Sequence, residues 1–362
     1  MPVVINGKSL TIDKVVEVAR KKTEISVSEK SWNKINSCRK MLEEKINNHE
    51  IMYGITTGIG EFSEVTLDPN QTKEFQKLLI YSHAAGIGDP MDIEIVRGAM
   101  CGRINVHSKG HSGGRKEITE YLIQALNHDL TPVVCEKGSV GACGDLSPMS
   151  QIALALMGEG EMFDNGKIVN SKEALKKIGL KPLELEARDG LALINGSNVL
   201  TALAAIILYD AKKWMKLHDI AAAMTLEALM ANMKPYDKRI HQLRGFTGSQ
   251  IVANNLNKLT EESEILFSGG KKVQDAYSMR STPQVAGTLR DSIDYAASQV
   301  EIELNGVGDN PIFLTEEKDV LTGANFQGTP IALPMEMVGT GLSMVAVLSE
   351  RRMNRLTNPA LS

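Results

Sequence analysis

Aromatic side chains make up only 4% of this 362-residue chain, and its four cysteines, at positions 38, 101, 135 and 143, show no paired spacing. That pattern excludes a disulfide framework and leads us to expect a reducing, cytoplasmic location. An excess of basic charge is lacking too. The 40 Lys and Arg stand against 44 Asp and Glu, a formal net charge of −4, so nucleic acid and anionic membrane are not expected as partners. The N-terminus has no basic segment followed by a long apolar stretch, so no signal peptide is expected. The longest apolar runs, such as residues 199–209, read as too short to cross a membrane.

What the chain does have is length and helix-forming residues. At 43% hydrophobic and 23% charged it can bury a sizeable core. Its abundant Ala, Leu and Met favour helix. Trp32, Ile35, Cys38, Leu42 and Ile46 recur at helical steps. Further helical patterns cover residues 68–82, with Asp68 as N-cap and Pro69 at the first position, then 92–106, 115–127, 198–233 and 282–305. Ser147 and Pro148 repeat the cap-then-proline signal, and the last stretch is again mostly helical. Two short hairpins are expected, turning at Asn6-Gly7 and at Asn165-Gly166. The fold class is therefore all-α with small N-terminal and mid-chain β-hairpins. Residues 1–197 read as one domain and 198–362 as a second, helix-dominated one.

Several familiar chemistries are excluded by spacing. His107 and His111 are four apart, a zinc-compatible step, but Gly110, Gly113 and Gly114 argue against a helix there, and no metal site is expected. "GITTGIG" lacks the third glycine and preceding strand of a dinucleotide fingerprint, and "SGGKK" lacks the spacing of a phosphate loop. There is no Gly-x-Ser-x-Gly elbow in a strand–helix context.

The stretch "GSVGACGDLSP", residues 138–148, places a lone thiol on a glycine-rich turn before a helix. Two readings follow. Cys143 is an activated thiolate, its pKa depressed by the helix N-terminus. Alternatively, the Gly144 nitrogen, unhindered by a side chain, reaches the Ala142 carbonyl carbon. Closing that five-membered ring, with loss of water and of the Cys143 leaving group, yields an exocyclic methylidene, a strong electrophile made from the chain itself.

The motif resembles the "G-S-x-G-A-S-G-D-L-x-P" signature of the aromatic amino acid ammonia-lyase and aminomutase family, with Cys143 where Ser is usual. Similar stretches follow in family order: "YGITTGIGEFS" at 53–63, "SHAAGIGDP" at 82–90, "GLALINGS" at 190–197, "VQDAYSMRSTPQ" at 273–284, "DNP" at 309–311, "GANFQGTP" at 323–330 and "SERR" at 349–352. The resemblance implies a long-helix bundle and a methylidene-imidazolone cofactor formed from Ala142-Cys143-Gly144, with no metal or nucleotide. It also implies an amino acid substrate and a homotetramer whose sites draw on several subunits. Tyr53 is then the base for the β-proton, Arg280 the clamp on the substrate carboxylate, and Tyr277 the residue that positions the amine or shares in proton transfer. Asn195 and Gln274 match polar residues that bond cofactor or substrate, and Asn325 and Phe326 match pocket residues. Ser82-His83 matches the pair that selects the side chain. It is nearest the histidine-acting members, which form trans-urocanate and ammonia, although "FQGTP" is nearer the phenylalanine enzymes. Tyrosine or phenylalanine lyases and 2,3-aminomutases share the scaffold. Family members also run on past residue 362, so the chain reads as truncated before a pocket Glu, and a catalytically silent helical assembly protein is the alternative outside enzymology.

Overall fold

The computed structural model describes residues 2–141 and 143–361. They form two compact units, Met1–Ile206 with Val300–Ile331, and Ile207–Gln299 with Ala332–Ser362.

The first unit opens on β1 (Val3–Ile5), α1 (Ile12–Arg20) and β2 (Ile25–Val27). β1 pairs in parallel with β2 across α1, so the N-terminal hairpin expected at Asn6-Gly7 does not form. The reason is local. Asn6 Oδ1 accepts from the Lys8 and Ser9 amides, and Thr11 caps α1 by accepting from Lys14 N, so the residues after the turn lead into a helix rather than back along β1. α2 (Glu29–Asn47) buries Ile35, Cys38 and Leu42 as its periodicity predicts. α3 (Pro69–His83) has a reciprocal cap: Gln71 N donates to Asp68 Oδ1 at 2.9 Å and Asp68 N to Gln71 Oε1 at 3.0 Å. β3 (Ile87–Pro90), α4 (Ile93–His107), α5 (Lys116–Asn127), β4 (Leu130–Pro132) and β5 (Cys135–Lys137) follow, with β3 antiparallel to β5.

α6 (Leu146–Leu156) starts ahead of the expected Ser147-Pro148 cap: Met149 N already donates to the Asp145 carbonyl at 3.0 Å, so the first intrahelical bond begins at Asp145. β6 (Glu161–Asp164) and β7 (Lys167–Asn170) form the mid-chain hairpin, with Asn165 and Gly166 at φ of 49° and 77°, the left-handed pair that a two-residue turn needs. β4 adds to this hairpin. α7 (Ser171–Lys177) and α8 (Asp189–Ile194) complete the run, and β8 (Ile312–Leu314) with β9 (Asp319–Leu321) closes the unit. α3, α6 and α8 pack on one another, and this trio carries the glycine-rich turn at residues 138–144.

Three long helices, α9 (Asn198–Ala228), α14 (Thr282–Leu304) and α15 (Thr329–Thr357), supply residues to both units. Between α9 and α14 lie α10 (Lys238–Arg244), α11 (Thr247–Leu259), α12 (Glu264–Phe267) and α13 (Tyr277–Arg280). Within the second unit α11 and α14 touch backbone to backbone. A Cβ on Gly248 would lie 2.0 Å from the Gly287 carbonyl oxygen, so only glycine fits. Arg290 Nη2 bonds Asp219 Oδ2 at 2.6 Å, and Arg352 Nη2 lies 3.0 Å from His218 Nε2, tying α9 to α14 and α15 by buried polar contacts.

By length and composition alone two helical stretches, Asp189–Ala228 and Thr329–Thr357, are long and apolar enough to cross a membrane, a test that core helices also pass. Scattered Thr, Ser and Asn break the runs without lowering mean hydropathy enough. In the first stretch 78% of the apolar window is buried inside the protein, the behaviour of a core helix.

Candidate active site

Ala142 lies outside the described residues; the turn around it is held by its neighbours. The Gly144 N–H donates to the Gly141 carbonyl at 2.9 Å, closing a four-residue turn. Gly141 and Gly144 have φ of 93° and 77°, values that a side-chain-bearing residue adopts only with strain, and nothing lies within 4 Å of a Cβ built on either. Cys143 is buried, at 6% exposure. Burial raises its pKa above the ordinary thiol value. The Gly196 amide opposes this, the Asp145 carboxylate adds to it, and the Asp145 and Leu146 amides at the start of α6 oppose it less. Burial thus opposes the activated-thiolate reading: desolvation outweighs the helix N-terminus invoked for it.

Asp145 is the group that motif reading passed over. Its carboxylate does not cap its own helix. Oδ2 instead accepts from the Val199 and Leu200 amides at 2.8 and 3.0 Å, at the first turn of α9. Burial raises its pKa to about 6 against those two hydrogen bonds. Two helix starts, α6 and α9, thus meet beside Cys143. The "GDL" of the motif contains this residue, but nothing in the sequence tells that its partner is a helix 50 residues away.

Tyr53 is half-buried in the loop after α2, and its hydroxyl accepts from the Gly60 N–H at 3.2 Å. Gly54 packs on α8, where a Cβ would come within 2.6 Å of Leu191. Gln76 of α3 bridges the two, its Nε2 donating to the Gly54 carbonyl and its Oε1 accepting from Leu191 N. Ser82 and His83 end α3. His83 Nδ1 lies 2.9 Å from both the Leu79 carbonyl and Ser82 Oγ; with its proton on Nδ1, donated to that carbonyl, the ring leaves Nε2 as an acceptor. Asn195 is buried at the end of α8, and its amide nitrogen donates to the Asn310 carbonyl at 2.8 Å. Asn325 is exposed and Phe326 half-buried. Ser197 Oγ donates to the Phe326 carbonyl at 2.7 Å, which ties that loop to the segment between α8 and α9. The first unit thus gathers Tyr53, Ser82, His83, Cys143, Gly144, Asn195 and Phe326 on one connected framework.

The second unit carries Gln274, Tyr277 and Arg280. Gln274 and Arg280 line a cavity of about 330 Å³ with Asn232 and Gln284. Arg280 stacks over the Tyr277 ring at 4.2 Å, and Tyr277 itself is 72% exposed. Arg280 Nε and Gln284 Oε1 are buried without a hydrogen-bond partner among the described residues. Tyr236 fixes α13 from below, its hydroxyl donating to the Met279 carbonyl at 2.6 Å.

His107 is no ligand. It is buried, its Nδ1 is 2.9 Å from Thr119 Oγ1, and burial together with the nearby Arg103 lowers its pKa to about 3. No cluster of three or more His, Cys, Asp or Glu suited to a metal occurs among the described residues.

A helical scaffold of this architecture is that of the ammonia-lyases and their aminomutase relatives. A histidine ammonia-lyase structure from Trypanosoma cruzi superposes with a TM-score of 0.90 at 35% identity, covering all of this chain and 68% of that one. A tyrosine aminomutase from Streptomyces globisporus superposes at 0.91 and 34% identity, covering all of this chain and 72% of that one. In sequence, the chain is 43% identical to the histidine ammonia-lyase of Alkaliphilus oremlandii over 99% of its own length and 71% of the relative's. The family model described as "Aromatic amino acid lyase" matches residues 10–362. The chain belongs to the aromatic amino acid lyase family, the carbon–nitrogen lyases that act on amino acids.

Proposed function

We propose that this chain takes the α-amino group and a β-proton from L-histidine, releasing ammonia and trans-urocanate. The observation that carries the choice of histidine is His83: with Nδ1 spent on Leu79, its Nε2 is set to accept the imidazole N–H of a substrate. The turn fits the backbone-derived cofactor. Gly141 and Gly144 hold left-handed conformations in open space, and Cys143 is a buried thiol facing backbone amides. The methylidene-imidazolone formed from Ala142-Cys143-Gly144 supplies an electrophile for the substrate amine. The chain's own residues do the rest. Tyr53, acting as the phenolate, receives the β-proton at its oxygen and becomes the phenol. Arg280 holds the carboxylate with its guanidinium fork. Tyr277 and Gln274 orient the amine, while Ser82, Asn195, Asn325 and Phe326 shape the pocket.

We further propose a cytoplasmic homotetramer. The long helices leave Leu217, Met224, Met344, Val347 and Met353 more than half exposed, an apolar surface that association would cover.

Intact mass and turnover test the proposal together. Cyclisation at Cys143 removes one water and one hydrogen sulfide, a loss of about 52 Da, and absorbance should then grow with L-histidine but not with L-tyrosine or L-phenylalanine. Full mass would overturn the cofactor. Turnover of tyrosine or phenylalanine, or a β-amino acid product, would move the protein to the related lyases or aminomutases. The Arg280→Ala variant should raise KM for histidine by about 100-fold with a smaller change in kcat; an unchanged KM would contradict the carboxylate role.

A further inference from the structure

Asp309 is fully buried and shared by two fully buried guanidinium groups. Arg103 Nη2 donates to Oδ2 at 2.8 Å and Arg188 Nη2 to Oδ1 at 2.7 Å. Two cations and one anion in a core form a costly arrangement, and replacing such clusters by apolar residues is often neutral or stabilising. Stability is therefore a weak account of this one.

The remaining donors show what it holds. Arg103 Nε donates to the Ala192 carbonyl and Nη1 to the Asn195 carbonyl, both at 2.6 Å, which pins the end of α8. Arg188 Nη1 donates to the Asn310 carbonyl at 2.9 Å, the same oxygen that receives the Asn195 side chain. Gly196 comes next, at φ 150°. A Cβ there would lie 2.5 Å from the Gly308 oxygen and 2.9 Å from Arg103 Nη1, so the backbone is pressed against the cluster. The Gly196 amide faces the Cys143 sulfur, and three residues on the Val199 and Leu200 amides hold Asp145. One short segment thus touches both residues that flank Gly144, and its near end is anchored by Arg103 and Asp309.

We propose that Arg103, Asp309 and Arg188 are a positioning unit for ring closure: they fix residues 195–200 against Cys143 and Asp145 and so set the turn in its reactive geometry. The proposal rests on the cofactor reading above. In the reaction positioned here, the Gly144 nitrogen bonds to the Ala142 carbonyl carbon. That oxygen leaves as water with the Gly144 and Cys143 amide protons. Sulfur then leaves as hydrogen sulfide with the Cys143 Cα proton, giving the methylidene with no change of oxidation state. The Gly196 N–H stabilises the charge that grows on the departing sulfur.

The experiment follows the loss of about 52 Da by intact mass in freshly produced full-length chain, at folded content matched by circular dichroism. Arg103→Gln leaves the Arg188–Asp309 pair charge-balanced, Asp309→Asn removes the shared negative charge and leaves an acceptor for only one of the two guanidinium groups while keeping shape, and Arg103→Lys is the conservative control. Folded Arg103→Gln and Asp309→Asn should process at least about tenfold more slowly than the unsubstituted chain, with Arg103→Lys in between. Folded variants that process at the unsubstituted rate overturn the proposal alone. Failure of both to fold also overturns it, assigning the cluster a purely structural role. An unsubstituted chain that keeps its full mass overturns the cofactor reading and this proposal with it.

Discussion

Replacing Cys143 by alanine should give a folded chain that releases no measurable ammonia from any aromatic amino acid. The fold should survive because the turn is closed by backbone, Gly144 N to Gly141 O at 2.9 Å, and the side chain removed is a small neutral group at 6% exposure. The lost burial costs about 1 kcal/mol. Activity has no such tolerance. Alanine offers nothing to eliminate, so the electrophile cannot form. Turnover should fall by at least about three orders of magnitude, or about 4 kcal/mol of barrier. Cys143→Ser separates the two chemistries of the position. As a leaving-group residue, serine departs as water, the chain loses about 36 Da as two waters, and activity persists. As a nucleophile in this site, serine would keep its full mass and lose the reactivity of sulfur. Full activity in the alanine variant, or an active serine variant of unshifted mass, would remove Ala142-Cys143-Gly144 from the chemistry.

What the sequence reveals about this protein depends on how far each residue reaches. Asp68 with Gln71, and Asn165 with Gly166, act on backbone within three residues of themselves, so the start of α3 and the β6–β7 turn are legible from the chain alone. The same chemistry misleads at Asn6-Gly7. There the carboxamide caps its own turn, and the strand that pairs with β1 lies beyond a whole helix. Long-range charge is legible least of all. Arg103, Arg188 and Asp309 look like solvated residues until α4, α8 and the loop before β8 come together around them. The site divides the same way. The glycine turn and the ordered motifs mark the proposed site, whereas the buried state of the Cys143 thiol, which weighs against a thiolate, is a tertiary property.

Asp145 gives the second large effect, on stability rather than turnover. Its carboxyl holds a proton up to about pH 6 in the folded chain, against a reference value of 3.8, because burial outweighs the Val199 and Leu200 hydrogen bonds. The sign follows directly. Between these two values the native state binds more protons at this site than the unfolded chain does, so the Asp145 contribution to stability falls as pH rises, and is fully lost above pH 6. The gap between these two values corresponds to about 3 kcal/mol. Asp145→Asn keeps an acceptor for the α9 amides but cannot ionise. Urea midpoints measured from about pH 4 to pH 7 should therefore show the unsubstituted chain losing about 3 kcal/mol relative to the asparagine variant. The other carboxylates are common to both chains and cancel in the difference. Parallel stability curves would mean that Asp145 ionises as readily in the fold as in water. A difference of opposite sign would mean that the first turn of α9 stabilises the anion by more than burial costs it, and that Asp145 stands beside Cys143 as a fixed charge rather than as a group poised to take up a proton.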